Sequence, residues 1–179
     1  GRKTSQRIVF SLLDGENDVL GKIADLLREL SQNKQICSNC GSLTLESPCS
    51  ICADEERERK LCIVESTKDL LKIELTNTYK GRYHVLQGVI SPFQSKTFND
   101  LNTNNLKERI EEEGISEVIF ALSPFPEGDV TLGYLLKHLK DVDVKITKMA
   151  VGMPSGQYLE NADENTLKSA FEGRRDALE

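Results

Sequence analysis

Apolar residues recur along this chain with more than one rhythm. Between about Glu16 and Asn33, the residues Val19, Leu20, Ile23, Leu26, Leu27 and Leu30 fall at intervals of one, three and four, the spacing of one helix face. A shorter helix over residues 4–13 precedes it, stopped by Asp14-Gly15, and the two are expected to pack together. Residues 36–54 show no apolar period; they are rich in Ser, Gly and Pro and too polar to form a core alone. From Leu61 onward short apolar runs alternate with helical stretches: "LCIVE", "STKDLLKIEL", "YHVLQG", "NLKERIEEEG", "EVIFAL", "EGDVTLGYLLKHLK" and "VKITKMA". That βα alternation predicts an α/β fold with a parallel or mostly parallel sheet and helices on its faces. Ser66 and Asp69 form an S-x-x-D capping box that starts the first of these helices directly after Glu65. A last helix is expected from about Asp163, with Leu167, Ala170 and Phe171 turned inward.

Length and composition narrow the class. The 179 residues suit one medium domain or two to three small units sharing a core, and no apolar run approaches the roughly 18 residues that span a bilayer. A soluble globular protein is expected. The opening "GRKTSQRIVFSLL" puts basic residues before an apolar patch but lacks a small-residue cleavage site, so no export signal is read and a reducing cytoplasm is the expected compartment. The formal charge is −6, and its distribution matters more than its size. Arg2, Lys3 and Arg7 give the first 13 residues +3 without an acid, which leaves −9 on everything from Asp14 onward. A basic amino-terminal element is attached to an acidic body.

The chain holds five cysteines, four of them in two CxxC pairs, Cys37/Cys40 and Cys49/Cys52. In a reducing compartment disulfides are rare, and two such pairs more often hold zinc. Each pair places two thiolates on one side of an ion, two pairs complete a tetrahedron, and Gly41 and Pro48 supply turns in and around the intervening hairpin. With all four corners filled by protein, one structural zinc per chain is expected, because catalytic zinc keeps a corner open for water. The rival is a redox dithiol, a motif that usually sits at the start of a helix; neither pair is expected to start one. Cys62, inside "LCIVE", reads as a buried small hydrophobe.

The order of the cysteine quartet, "LCIVES", "GRYHVLQGVISP", "EVIFALSPFPEGDVT" and "GMPSGQYLENADENTL" followed by "GRR" resembles the RecR family of bacterial recombination mediators along essentially the whole chain. The resemblance implies a partial helix-hairpin-helix over 1–35, a four-cysteine zinc finger over 36–54, a Toprim domain over 60–155, and a carboxyl-terminal segment, 156–179, exchanged between protomers. It further implies ring-like oligomers on DNA that work with RecO and RecF to load the RecA recombinase at gaps. Three places depart from the family pattern. "GRKTSQR" looks like the second half of a helix-hairpin-helix, the loop after "SP" reads "FQSKTF" without the usual glycines, and Asp129 stands where glutamate is more common.

The remaining candidates follow from position. A hairpin glycine before a helix start offers free amides to a phosphate, and Lys3 and Arg7 flank it, a chemistry for DNA of any sequence; a solvated basic terminus is the plainer reading. Three cations correspond to a salt slope of only about −3, so oligomerisation is expected to multiply the contacts. Glu65 ends the first strand at the carboxyl edge where ligands collect in open α/β sheets, and Glu127 and Asp129 follow "EVIFAL" in a corresponding place. In Toprim enzymes such carboxylates hold Mg²⁺ for phosphoryl transfer, which makes a Mg²⁺-dependent nuclease or primase-like enzyme the alternative. No tyrosine nucleophile with a supporting cluster is found, and the family resemblance favours a non-enzyme whose acidic face recruits a basic protein without Mg²⁺. A zinc-ribbon adaptor without a DNA role is the third reading. His84 and His138 read as structural, and "DEERERK" as a solvated connector.

Overall fold

The computed structural model describes residues 1–14 and 19–176. Two helices, α1 (Arg2–Leu13) and α2 (Val19–Asn33), lead into a small antiparallel pair, β1 (Gln35–Ile36) with β2 (Leu43–Thr44), and a single helical turn, α3 (Ser50–Ala53). The βα alternation then unfolds as read: β3 (Glu58–Val64), α4 (Thr67–Glu74), β4 (Gly81–Val85), α5 (Leu106–Glu112), β5 (Glu117–Ala121), α6 (Pro126–His138) and β6 (Lys145–Lys148). A final helix, α7 (Glu164–Glu172), closes the described chain.

The four long-range strands make one sheet in the order β4-β3-β5-β6, and every neighbouring pair is parallel. The central strand shows why. Residues of β3 alternate between two cores: Leu61 and Ile63 join Leu106 and Ile110 of α5, Leu135 of α6 and Leu139 at its C-cap, while Cys62 and Val64 join Leu70 of α4. Burying each such side chain contributes about 1.5–3 kcal/mol, which only a sheet covered on both faces can collect along a continuous apolar run. Helix α4 starts where the capping box places it: Ser66 N–H and Oγ both donate to Asp69 Oδ2, at 3.0 and 2.7 Å. Because β3 pairs with β4 on one side and β5 on the other, chain direction across the sheet reverses between β3 and β5. The carboxyl ends of these two strands form the crevice where open α/β sheets bind ligands.

The amino-terminal helices form and meet as expected, but among the described residues neither holds a fully buried side chain. Phe10, Leu13, Leu26 and Leu27 are each more than half exposed, so the apolar stripe that predicts α2 faces solvent within this chain. The anticipated start at Glu16 and the turn at Gly15 lie outside the described residues. One inward assignment is corrected in α7. Leu167 and Ala170 are half-buried, but Phe171 is 68% exposed. The backbone of Gly152 approaches Ala170 closely, and the next residue along a helix points about 100° away, into solvent.

Candidate functional site

The four paired cysteines converge. Their Sγ atoms all lie within 4.8 Å of one another, all four residues are buried, and none forms a disulfide. Zinc–thiolate bonds of about 2.3 Å put sulfurs at tetrahedral corners ~3.8 Å apart; Cys40 and Cys49 Sγ stand 3.7 Å apart. The donor set therefore fits a tetrahedral thiophilic ion with no open corner. Local backbone supports the sulfurs. Cys49 N–H donates to Cys37 Sγ at 3.3 Å, and the Ser42 hydroxyl lies 3.1 Å from Cys40 Sγ. The Cys52 thiol donates to the Cys40 sulfur; with Ser42 it holds Cys40 well below the ordinary thiol range and pushes Cys52 up. Burial raises Cys49. Four sulfurs this close cannot all be anionic unless a cation replaces their protons.

One reading of this segment is corrected. Cys49 is the N-cap of α3, so the second pair does begin a helix. A four-residue turn carries too little periodicity to be seen in sequence. The dithiol reading still gains nothing, because the two pairs lie close enough together to share one ion.

The cage is docked on the edge strand of the sheet. Val85 N–H donates to Cys40 O at 2.7 Å, Gln87 Nε2 to Gly41 O at 3.1 Å, and Leu43 N–H to the Thr67 hydroxyl at 2.8 Å. Ile51 packs against both the cysteines and the Cys62–Val64 core. Gly41 has φ +77°, and a Cβ there would stand 2.2 Å from Asn102 Nδ2 and 2.9 Å from Val85 O. Asn102 Nδ2 in turn donates to Val85 O at 3.0 Å. No sequence motif announces Asn102, Thr67 or Ile51; their roles come from folding alone.

"DEERERK" is more than a solvated connector. The Arg57 guanidinium forms a two-pronged pair with Glu74 of α4 and donates to Gly81 O at 3.2 Å. Arg109, 5% exposed, donates to Tyr83 O at 2.7 Å and to Glu113 at 2.7 Å. It also approaches Nδ1 of His84 at 3.4 Å, while His84 Nε2–H donates to Asn102 O at 2.6 Å. His84 is thereby neutral and structural, its pKa lowered to about 4 by burial. His138 is half-buried against the Phe98 ring at 5.5 Å. Cys62 is a buried hydrophobe, as read, with its thiol pushed up to about 12 by burial.

The carboxylates stand at the β3/β5 crevice. Glu65 follows β3, and its Oε1 accepts the Ser123 N–H from the loop after β5 at 2.5 Å. Glu127 and Asp129 lie in the first turn of α6; Glu127 is half-buried and Asp129 exposed. That turn is pressed onto the loop, since a Cβ on Gly128 would stand 2.1 Å from Ser123 O. Among the described residues, the cysteine quartet is the group close enough to share an ion, and the three carboxylates do not form one. Lys3 and Arg7, four residues apart on α1, are both exposed.

Sequence comparison agrees with this arrangement. Residues 59–150 match the model of the Toprim domain, and residues 152–175 match the model described as RecR, C-terminal. Proteins named "Recombination protein RecR" are similar along nearly the whole chain. The one from Natranaerobius thermophilus is 41% identical over 177 residues, 98% of this chain and 89% of its own length. Those from Syntrophobacter fumaroxidans and Bifidobacterium adolescentis are 44% and 42% identical over 176 residues, each 98% of this chain and 88% of the relative. No helix among the described residues is long and apolar enough to cross a membrane. A four-cysteine cage docked on a parallel Toprim sheet, followed by a matching carboxyl-terminal segment, places the chain in the RecR family.

Proposed function

We propose that this protein is a non-enzymatic, DNA-binding recombination mediator of the cytoplasm, acting with RecO- and RecF-type proteins to load a RecA-type recombinase at gaps. Four segments divide the work. A helical element over 1–35 touches DNA phosphates through Lys3 and Arg7, and a zinc finger over 36–54 holds one structural zinc on Cys37, Cys40, Cys49 and Cys52. The Toprim domain spans 60–155, and the segment 156–179 exchanges between protomers of a ring-like oligomer. Oligomerisation multiplies the few cations available to one acidic chain.

The acidic Toprim edge, Glu65, Glu127 and Asp129, is the surface that recruits a basic partner. The observation carrying this reading is the hydrogen bond from Ser123 N–H to Glu65. It commits one carboxylate to holding the β5–α6 loop, while Asp129 remains exposed for a partner's lysine or arginine. Phosphoryl transfer would instead need the carboxylates gathered around Mg²⁺.

The test is a binding assay with a purified RecO-type protein alongside an assay for nicking and primer synthesis in Mg²⁺. Asp129→Lys and Glu127→Lys should each abolish partner binding while zinc content and DNA binding stay at wild-type levels. Metal-dependent cleavage by the wild type that disappears in Glu65→Gln would replace this reading with an enzymatic one.

A further inference from the structure

The segment between β4 and α5 folds into a short hairpin, with Ser91 bridged to Lys96 and Ser95 turned into the left-handed region at φ 52°. Phe93, near its tip, is 93% exposed. Between this loop and α6 lies a cavity of about 630 Å³, walled chiefly by Ile90, Pro92, Lys96, Thr97, Phe98 and Tyr134. Phe98 and Tyr134 stack with their ring centroids 5.9 Å apart and their planes 25° from parallel. The Lys137 ammonium lies 5.7 Å from the Tyr134 centroid. Neither the cysteine cage nor the carboxylate edge contributes to these walls.

The chemistry of the walls narrows the occupant. They are mostly apolar and aromatic, which suits a flat, weakly polar group. Lys96 is the charged residue of the lining; its ammonium also donates to Gln87 O, and the carboxylate near it, Asp100, lies outside the walls and accepts from Thr97. Cations beside stacked rings suit a ligand that joins a π-face to negative charge. The volume lies within the roughly 300–1,000 Å³ of pockets that enclose small ligands, so one nucleotide fits. We propose that this pocket takes a base of an unpaired nucleic-acid strand. The Phe98–Tyr134 pair supplies the stacking platform, Lys96 and Lys137 meet the flanking phosphates, and exposed Phe93 offers a further ring to the next base. Such a site is tolerant of sequence, since every base has a π-face. An aromatic side chain of a protein would satisfy the rings but bring no anion to Lys96 and Lys137. The site is separate from the phosphate contacts proposed for α1, and its action is distinguishable from theirs because it reads bases.

The experiment compares binding of a labelled oligothymidylate with binding of an abasic phosphodiester strand of equal length, by fluorescence anisotropy. Wild type should prefer the strand that has bases. Tyr134→Ala and Phe93→Ala replace exposed side chains, and unchanged melting will show that the fold survives. Each should weaken oligothymidylate binding about tenfold and leave the abasic strand within about twofold. Iodouracil-substituted strands should cross-link within the 90–98 loop or at Tyr134. Equal binding of both strands by the wild type would overturn the proposal, as would variants that weaken both strands alike or neither. A Tyr134→Ala protein that changes sedimentation but not oligothymidylate affinity would assign the pocket to a protein contact instead.

Discussion

The backbone N–H of Val85, the last residue of β4, donates to the carbonyl of Cys40, the second ligand of the first cysteine pair, at 2.7 Å. One partner belongs to the parallel sheet and the other to the candidate metal cage. Leaving such a buried group unmatched costs about 1–3 kcal/mol, so disorder in the cage propagates into the edge of the sheet.

Cys37→Ser and Cys49→Ser should therefore do more than lose zinc. Metal analysis should give one zinc per wild-type chain and none in the variants, and the unfolding free energy should fall by roughly 3 kcal/mol or more. Amide exchange should quicken in β4 as well as in the cage. Carefully reduced wild type that carries no zinc as purified, together with variants that melt as it does, would end the metal assignment.

Two glycines separate strain from docking. Gly41 and Gly156 both have positive φ, +77° and +84°, but a Cβ meets Asn102 and Val85 at the first and nothing within 4 Å at the second. Gly156→Ala should cost only the left-handed penalty of about 1–2 kcal/mol. Gly41→Ala should cost at least about 2 kcal/mol more and weaken zinc retention. Equal melting temperatures for the two variants would contradict the docked geometry.

His84 should stay neutral far into acid. Its folded pKa of about 4 lies below the ordinary 6.5, so the unfolded chain takes up a proton that the folded one refuses. Its contribution is complete above pH 6.5 and is lost as pH falls toward 4, at up to about 1.4 kcal/mol per pH unit. Imidazole ¹⁵N shifts of His84 should move by no more than about a tenth of their full titration range between pH 7.5 and 5. A midpoint inside that range would show that the ring is not sealed as described.

Lys3→Glu combined with Arg7→Glu should weaken binding to DNA of any sequence about equally and flatten the salt dependence by about 2 in slope. The abasic strand should lose as much as the normal one. Unchanged affinity at low salt would move the phosphate contacts elsewhere.

What could be read in the sequence was what is local. The spacing of two CxxC pairs, the S-x-x-D box at Ser66 and the alternation after Leu61 each lie within a few residues, and each folds as its spacing requires. Burial is a different quantity, because it depends on what arrives from far away. The stripe on α2 is plainly apolar, yet no residue of the helix is buried among the described residues. Arg57 reads as one charge among many until folding brings Glu74 to it across 17 residues, and Asn102 carries no pattern at all before it meets Val85. The carboxylates were legible as a position, at the ends of strands, but the bond that commits Glu65 to Ser123 spans 58 residues and could not be.

Strand β4 lies at the border of the sheet, yet its outward acceptors are already taken: Gly81 O by Arg57, Tyr83 O by Arg109, and Val85 O by Asn102. A border strand with free carbonyls is a template on which a foreign strand can grow. Here side-chain donors fill those places, and the Cys40 carbonyl takes the Val85 N–H. Substitution of Arg57, Arg109 or Asn102 would thus be felt first as aggregation during expression, with the loss appearing in yield of soluble chain before it appears in any assay of the purified molecule.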